Sequence, residues 1–378
     1  MGSAVRVILE DIHFPLMEYY DWLATGLWML QDDGQIEAEV RTTRTTLPFQ
    51  THRKSFAAFR KVLPGVAAAL ARGTSSLITG RVEAGGKSVS FVFDIGDSPY
   101  AFQTDLLLEK DLYFKAQCPA SFDPRGFPIA RDAWFPYHPD VITYQDRIRP
   151  AMLGRPLSRT LNKRQNAQIL QRWRDRAKGS KDLNLFAFFG SDKIDWVGGP
   201  ERIVLERFAE RTAHPNPKRG LLVEGLRQRY PAGQGVDARI LNTDSAARRG
   251  PKLGDDDYPA VVGRAWHNIN ISGFRRSLPF RFIDSFLVGA SVPSDEIALR
   301  WYAPFDMTNE VIDLGPMGYE LDRSVDWPRV WTVFDGLMSE PPNRRDERRQ
   351  HIVQRFETLW HPRAFARYVV DQCLQHMG

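Results

Sequence analysis

The stretch Ser272 to Asp295, SGFRRSLPFRFIDSFLVGASVPSD, concentrates residues suited to holding a charged ligand. Arg275, Arg276 and Arg281 precede one carboxylate, Asp284, and an apolar run that breaks at Gly289. A guanidinium fork matches two phosphate oxygens at once. A helix starting near Pro279 adds free N–H groups and positive partial charge for the same anion. Arg275 and Arg276 stand where both effects act together. Asp284, about one turn inside that helix, could accept two hydroxyl hydrogen bonds, as from a ribose. The opposing reading is a structural ion pair between Asp284 and Arg281 or Arg276. The residues alone weigh the two about evenly.

A second candidate is Phe189-Gly190-Ser191. Glycine after an apolar strand lets the backbone approach a ligand, and Ser191 offers a hydroxyl and an amide. An ordinary strand-to-helix turn explains the same residues. His138 and His267 are weaker candidates. No Cys/His cluster has zinc spacing. Asp255-Asp256-Asp257 lacks the spacing of a calcium loop and suits a helix start instead. The chain has neither a Walker-type phosphate loop nor a G-x-S-x-G elbow.

These residues need elements to hold them. Val5 to Glu10 reads as a strand, and Glu18 to Leu30 has apolar residues at helical spacing. Strands are expected at Ile36 to Val40, Ser75 to Ile78 and Val89 to Phe93, and a helix broken at Pro64 over Phe56 to Ala71. From Cys118 to Pro156, dense prolines and aromatics suit irregular structure. A basic helix over Leu157 to Arg176 then leads to the linker Lys178-Gly179-Ser180-Lys181.

A second alternation of strand and helix follows. It has strands at Leu183 to Phe189, Ala238 to Leu241, His267 to Ser272 and Glu310 to Leu314. Helices are expected at Glu201 to Thr212, Asp257 to Trp266 and Phe280 to Val288, with a helical tail over Arg345 to His376. The fold expected is therefore α/β, with two Rossmann-like domains facing a cleft and C-terminal helices. The domains are placed at 1–170 and 171–345, with helices over 346–378 packing back towards the first. Ligands in open α/β sheets bind beyond the carboxyl ends of the strands, so the cleft is the expected site.

The 378 residues suit two domains of ordinary size, and 43% hydrophobic with 26% charged residues is the balance of a soluble globular protein. No apolar run approaches bilayer length, and Met1 to Glu10 has no signal-peptide pattern, so a cytoplasmic location is expected. Cys118 and Cys373 read as free thiols. The net charge of +5 permits an anionic partner: a nucleotide, a nucleic acid or an anionic membrane face. Acids interrupt the basic run Arg344 to Arg349, as on a solvated helix face. No known nucleic-acid module is present. The basic helix Arg159 to Arg176 leaves peripheral contact with the inner membrane face open.

The stretch Ser272 to Asp295 also resembles the donor-site signature of GT-B glycosyltransferases, nearest to the exostosin-type families. Phe186 to Ser191 is similar to the strand and glycine turn that open their second domain. Asp94-Ile95-Gly96-Asp97-Ser98-Pro99 and Leu112 to Lys115 resemble segments late in their first domain. The likeness runs thinly over Asp94 to Asp295. One departure concerns the paired glutamates of a large retaining class: the earlier position falls near Arg276 and holds no acid.

The resemblance implies transfer of a sugar from a nucleotide-sugar to a hydroxyl acceptor such as a glycan, without a metal and with inversion slightly favoured. No cofactor beyond the donor is implied. Gly190 and Ser191 would line the diphosphate, Arg275 or Arg276 would neutralise it, and Ser272 and Gly273 would approach the sugar. Asp284 would hold the ribose, with Arg281 orienting it. Inversion needs a general base on the acceptor. Asp11 and His13 follow the first strand, and His13 titrates near neutral pH. Asp97 is the other candidate. A non-catalytic nucleotide- or sugar-binding protein of the same fold is the alternative, and a nucleic-acid binder a more distant one.

Overall fold

Val7, Ile8 and Leu9 are consecutive and fully buried, as a strand covered on both faces requires. They lie in β1 (Arg6–Ile12) of a computed structural model that describes residues 5–12, 17–42, 77–130, 133–158, 161–189, 218–240, 257–272, 276–317 and 325–378. The first half also holds β2 (Glu37–Thr42), β3 (Leu77–Ala84), β4 (Lys87–Asp94) and β5 (Leu112–Lys115). Three short strands follow, β6 (Cys118–Pro119), β7 (Phe127–Ala130) and β8 (Ala133–Phe135), and then β9 (Ile148–Pro150). Its helices are α1 (Met17–Asp32), α2 (Thr104–Glu109), α3 (Pro139–Thr143) and α4 (Lys163–Ala177).

Six of these strands form one sheet in the order β2-β1-β3-β4-β5-β9. β1 is parallel to β2, β4 to β5, and β5 to β9; β3 is antiparallel to both neighbours. The sheet is thus mixed. Its antiparallel pair comes from a hairpin with Gly85 and Gly86 at the tip, at φ 58° and 78°. Those left-handed values are what a two-residue turn needs to match the strand twist. β1, β2, β4, β5 and β9 all point one way, so their carboxyl ends share one edge.

The second half contains β10 (Leu183–Phe189), α5 (Lys218–Arg229), β11 (Val236–Ile240), α6 (Asp257–Arg264), β12 (Ala265–Ile269) and α7 (Arg281–Leu287). β13 (Val292–Ser294), β14 (Leu299–Arg300), β15 (Val311–Asp313) and α8 (Trp327–Met338) follow. β11, β10 and β12 form a parallel sheet. Parallel bridges from His267 to Ser291 and from Asn270 to Ser294 join it to the parallel pair β13-β15. The strand expected from His267 begins two residues earlier, because Leu183 opens the ladder opposite Ala265. The helices expected at Phe56 to Ala71 and Glu201 to Thr212 lie outside the described residues.

The tail is α9 (Pro342–Arg355), a π-helical turn (Phe356–Trp360) and α10 (Pro362–Met377). It packs on the first sheet. Trp22 Nε1 donates to the Trp360 carbonyl at 3.2 Å, and the Tyr368 hydroxyl to the Pro150 carbonyl at 2.8 Å. β10 alternates its side chains between two apolar clusters, following the period of a strand. Leu185, Ala187 and Phe189 join α5 and α8 in one cluster. Phe186 belongs to the other, a core that continues through the first sheet, α1, α7 and α10. No helix among the described residues is long and apolar enough to cross a membrane.

Candidate functional site

The second sheet, with its two bridges, runs in the order β11-β10-β12-β13-β15. From β10 the chain builds β11 on one side and then returns to β12 on the other. Ligands in such sheets sit where this reversal opens a crevice at the carboxyl ends. The residues there are Phe188 and Phe189 at the end of β10, Ile271 and Ser272 after β12, and Ser294 and Asp295 at the end of β13.

Charge gathers at these ends. Lys218, the first residue of α5, reaches Asp295 at 3.2 Å, and both side chains are 2% exposed. Asp295 also accepts from the Ser272 amide at 2.9 Å and the Ser272 hydroxyl at 2.5 Å. Arg219 forks onto the Ile271 carbonyl at 3.1 and 2.7 Å. Arg281 donates to the Phe188 carbonyl. The guanidinium carbons of Arg219 and Arg281 lie 5.7 and 5.5 Å from the Phe189 ring centroid, close enough for cation–π attraction. Arg276 pairs with Glu296 at 3.2 Å, its side chain 7% exposed against 50% for Glu296. Four cations therefore meet two carboxylates at the crevice. Strand-end carbonyls hold two of the cations in place.

Ser272, Arg276 and Arg281 thus gather at one end of one sheet. Gly190, Ser191, Gly273 and Arg275 lie outside the described residues. Asp284 is fully buried; its ion pair is with Arg155, and the Arg281 charge also acts on it. Burial pushes the Asp284 carboxyl above its usual range, and the Arg155 guanidinium opposes this. Arg155 in turn stacks on Trp173 at 4.0 Å. Tyr258 senses the same carboxylate, its hydroxyl raised to about 12 by burial and by the Asp284 charge.

The candidate bases relate to the carboxyl edge of the first sheet. Asp11 lies in β1, near its end, and its side chain is outside the description; His13 lies outside the described residues. Asp97 is exposed on the loop after β4. That loop is anchored by Asp94, whose carboxylate accepts from the Gly96 amide at 2.7 Å and from the Tyr113 hydroxyl at 2.7 Å. The Lys115 ammonium, 1% exposed, lies 2.6 Å from the same carboxylate. His267 is a core histidine: buried, 2.6 Å from the Ser291 hydroxyl, and held well below its usual pKa by burial and by Arg348, Arg345 and Lys181. His138 is exposed and caps α3, accepting from the Asp140 amide at 3.3 Å.

The sequence reading missed Lys218, Arg219 and Asp295. Asp295 ends the stretch read first, and Lys218-Arg219 follow a proline at a helix start, so both signals were present. What the sequence lacked was the strand order that brings them together. Among the described residues, no group of three or more His, Cys, Asp or Glu is arranged to hold a metal ion.

No family model matches the chain, and no curated protein matches its sequence. Some solved structures resemble it in outline. One is the GtfA/B complex, with 10% identity and a TM-score of 0.36, covering 78% of this chain and 63% of that one. Another is Anabaena HepE in complex with UDP and glucose, at 11% identity and a TM-score of 0.35 over 98% of both chains. A third is a glycosyltransferase from Rickettsia africae ESF-5, at 9% identity and a TM-score of 0.36 over 98% of both. This chain spans less than two thirds of the GtfA/B chain. A likeness this distant says nothing of substrates.

Proposed function

We propose that the chain is a glycosyltransferase, related to the exostosin-type GT-B enzymes, that moves a sugar from a nucleotide-sugar donor to a hydroxyl acceptor. The observation that carries this reading is the set Lys218, Arg219, Arg276 and Arg281 at the strand-order reversal. A nucleoside diphosphate is the ligand class that needs such a set, because its charge rises as the sugar leaves. Cations already fixed by carbonyls and carboxylates stabilise that developing charge without reorganising. They could carry it without a metal ion. Ser272, tied to Asp295 beside them, is given the sugar on the resemblance. Asp284 is given the ribose on the resemblance, and would have to exchange Arg155 for ligand hydroxyls.

The acceptor would lie against the first sheet's carboxyl edge, where Asp97, His13 or Asp11 takes its proton and gives inversion. On this reading 1–170 is the acceptor side, 171–345 the donor side and 346–378 the returning tail. A cytoplasmic site of action, with peripheral contact at the inner membrane face, belongs to the same proposal.

The test is release of free nucleoside diphosphate from UDP-, GDP-, ADP- and dTDP-sugars, with and without glycan acceptors, in the presence of EDTA. Release that needs an acceptor and falls at least tenfold in Asp97→Asn or His13→Ala is the expected result. Tight binding with no turnover on any acceptor would favour a non-catalytic binding protein.

A further inference from the structure

The loop that carries Arg276 is held at its two ends by different halves of the molecule. Upstream, Ser272 is fixed by Asp295 through both its amide and its hydroxyl. Downstream, the Leu278 amide donates to Gln117 Oε1 at 2.8 Å, and Gln117 Nε2 donates to the Leu278 carbonyl at 2.9 Å. Gln117 is fully buried and Leu278 3% exposed. One side-chain amide thus satisfies both backbone groups of one residue, as a neighbouring strand would. Between the anchors Arg276 has φ 53°, a conformation that an L residue keeps only when its surroundings impose it.

Gln117 belongs to the first half, two residues past Lys115 at the end of β5. Lys115 binds Asp94, which anchors Gly96 beside Asp97. Segment 115–117 therefore touches the Asp97 loop at one end and the arginine loop at the other. The chain beyond it strengthens the junction. Cys118 and Pro119 of β6 pair with Arg300 and Leu299 of β14, and the Ala120 amide donates to the Ala298 carbonyl at 3.1 Å.

The geometry points to Gln117 as a positioning residue that sets Arg276 against the Asp97 edge, so that anion binding in the second half depends on a side chain of the first. The nature of the anion rests on the function proposed above; the clasp itself does not. Truncating Gln117 leaves the Leu278 N–H and C=O buried without partners. Glutamate discriminates more finely. A neutral carboxyl group can both accept from the Leu278 N–H and donate to its C=O. An ionised one can only accept, and it sets negative charge against that carbonyl. Burial raises a carboxyl pKa, so the change falls in an accessible pH range.

The full chain is titrated calorimetrically with UDP, GDP, ADP and dTDP, and amide hydrogen exchange is followed at Leu278, Arg276 and Gly96. Wild type is compared with Gln117→Ala, Gln117→Glu and Val330→Ala, the last a core truncation in α8. Gln117→Ala is expected to bind the preferred diphosphate at least tenfold more weakly and to exchange faster at Leu278 and Arg276. Gln117→Glu should regain affinity, relative to wild type at each pH, as pH falls from 8 to 5. Val330→Ala should change neither. Wild-type affinity and exchange in folded Gln117→Ala would overturn the proposal, as would a pH-independent ratio for Gln117→Glu. If Gln117→Ala does not fold, the Gln117→Glu comparison decides. If wild type binds no diphosphate, the glycosyltransferase reading fails, and exchange at Leu278 still decides the role of Gln117.

Discussion

Removing one partner of a buried ion pair strands a charge away from water, at a cost of about 3–5 kcal/mol. Arg155→Ala would do this to Asp284, which has no exposed surface. We expect that loss in urea unfolding. The double variant Arg155→Met with Asp284→Leu should recover most of it, since the buried carboxylate leaves together with its ion-pair partner. A double variant as unstable as Arg155→Ala would show that packing against Trp173, not charge, is what Arg155 supplies. The acid in α7 was legible in the sequence, but its partner was not. Arg155 lies 129 residues upstream, and no local pattern links the two. Arg276 and Arg281 were legible by residue type and by the helix start beside them. Lys218 gains its meaning only from Asp295, across a sheet whose strand order the sequence does not state.

At the scale of elements, the tail depends on one close crossing. Gly26 of α1 faces Pro362 and Ala366 of α10, and a methyl group there would collide with the Pro362 carbonyl. Alanine normally favours a helix over glycine by about 1 kcal/mol. Here the clash should win, and Gly26→Ala should destabilise by about 1–3 kcal/mol, the usual cost of overpacking. A raised melting temperature would mean that α1 and α10 can separate freely. The helical spacing of α1 and the apolar run of β10 were enough to find them. The β3–β4 hairpin was not found, because Ser75 to Ile78 and Val89 to Phe93 read as separate strands. Gly85-Gly86 between them was the available signal, since adjacent glycines supply the two left-handed residues of a hairpin turn.

At the scale of the whole molecule, buried histidines set how stability responds to acid. Burial holds His267 well below its usual pKa and lowers His361 to about 4. Both stay neutral in the folded chain while the unfolded chain takes up protons below about 6.5. The unfolded state then binds more protons, so stability falls as pH drops from about 6.5 towards 4, by up to about 1.4 kcal/mol per pH unit for each histidine. Urea midpoints should fall between pH 7 and pH 5. His361 also caps α10, accepting from the Arg363 amide at 3.3 Å. His361→Asn can keep that cap without titrating, so its midpoint should fall less steeply. An unchanged slope would remove His361 from this account.

The most direct test of the central claim is nucleoside diphosphate affinity, measured by calorimetry on wild type, Arg276→Ala and Lys218→Met. The account predicts saturable binding of at least one of UDP, GDP, ADP or dTDP, weakened tenfold or more in each variant while the chain stays folded. Wild-type affinity in both variants, or no binding of any diphosphate to the wild-type chain, would contradict it.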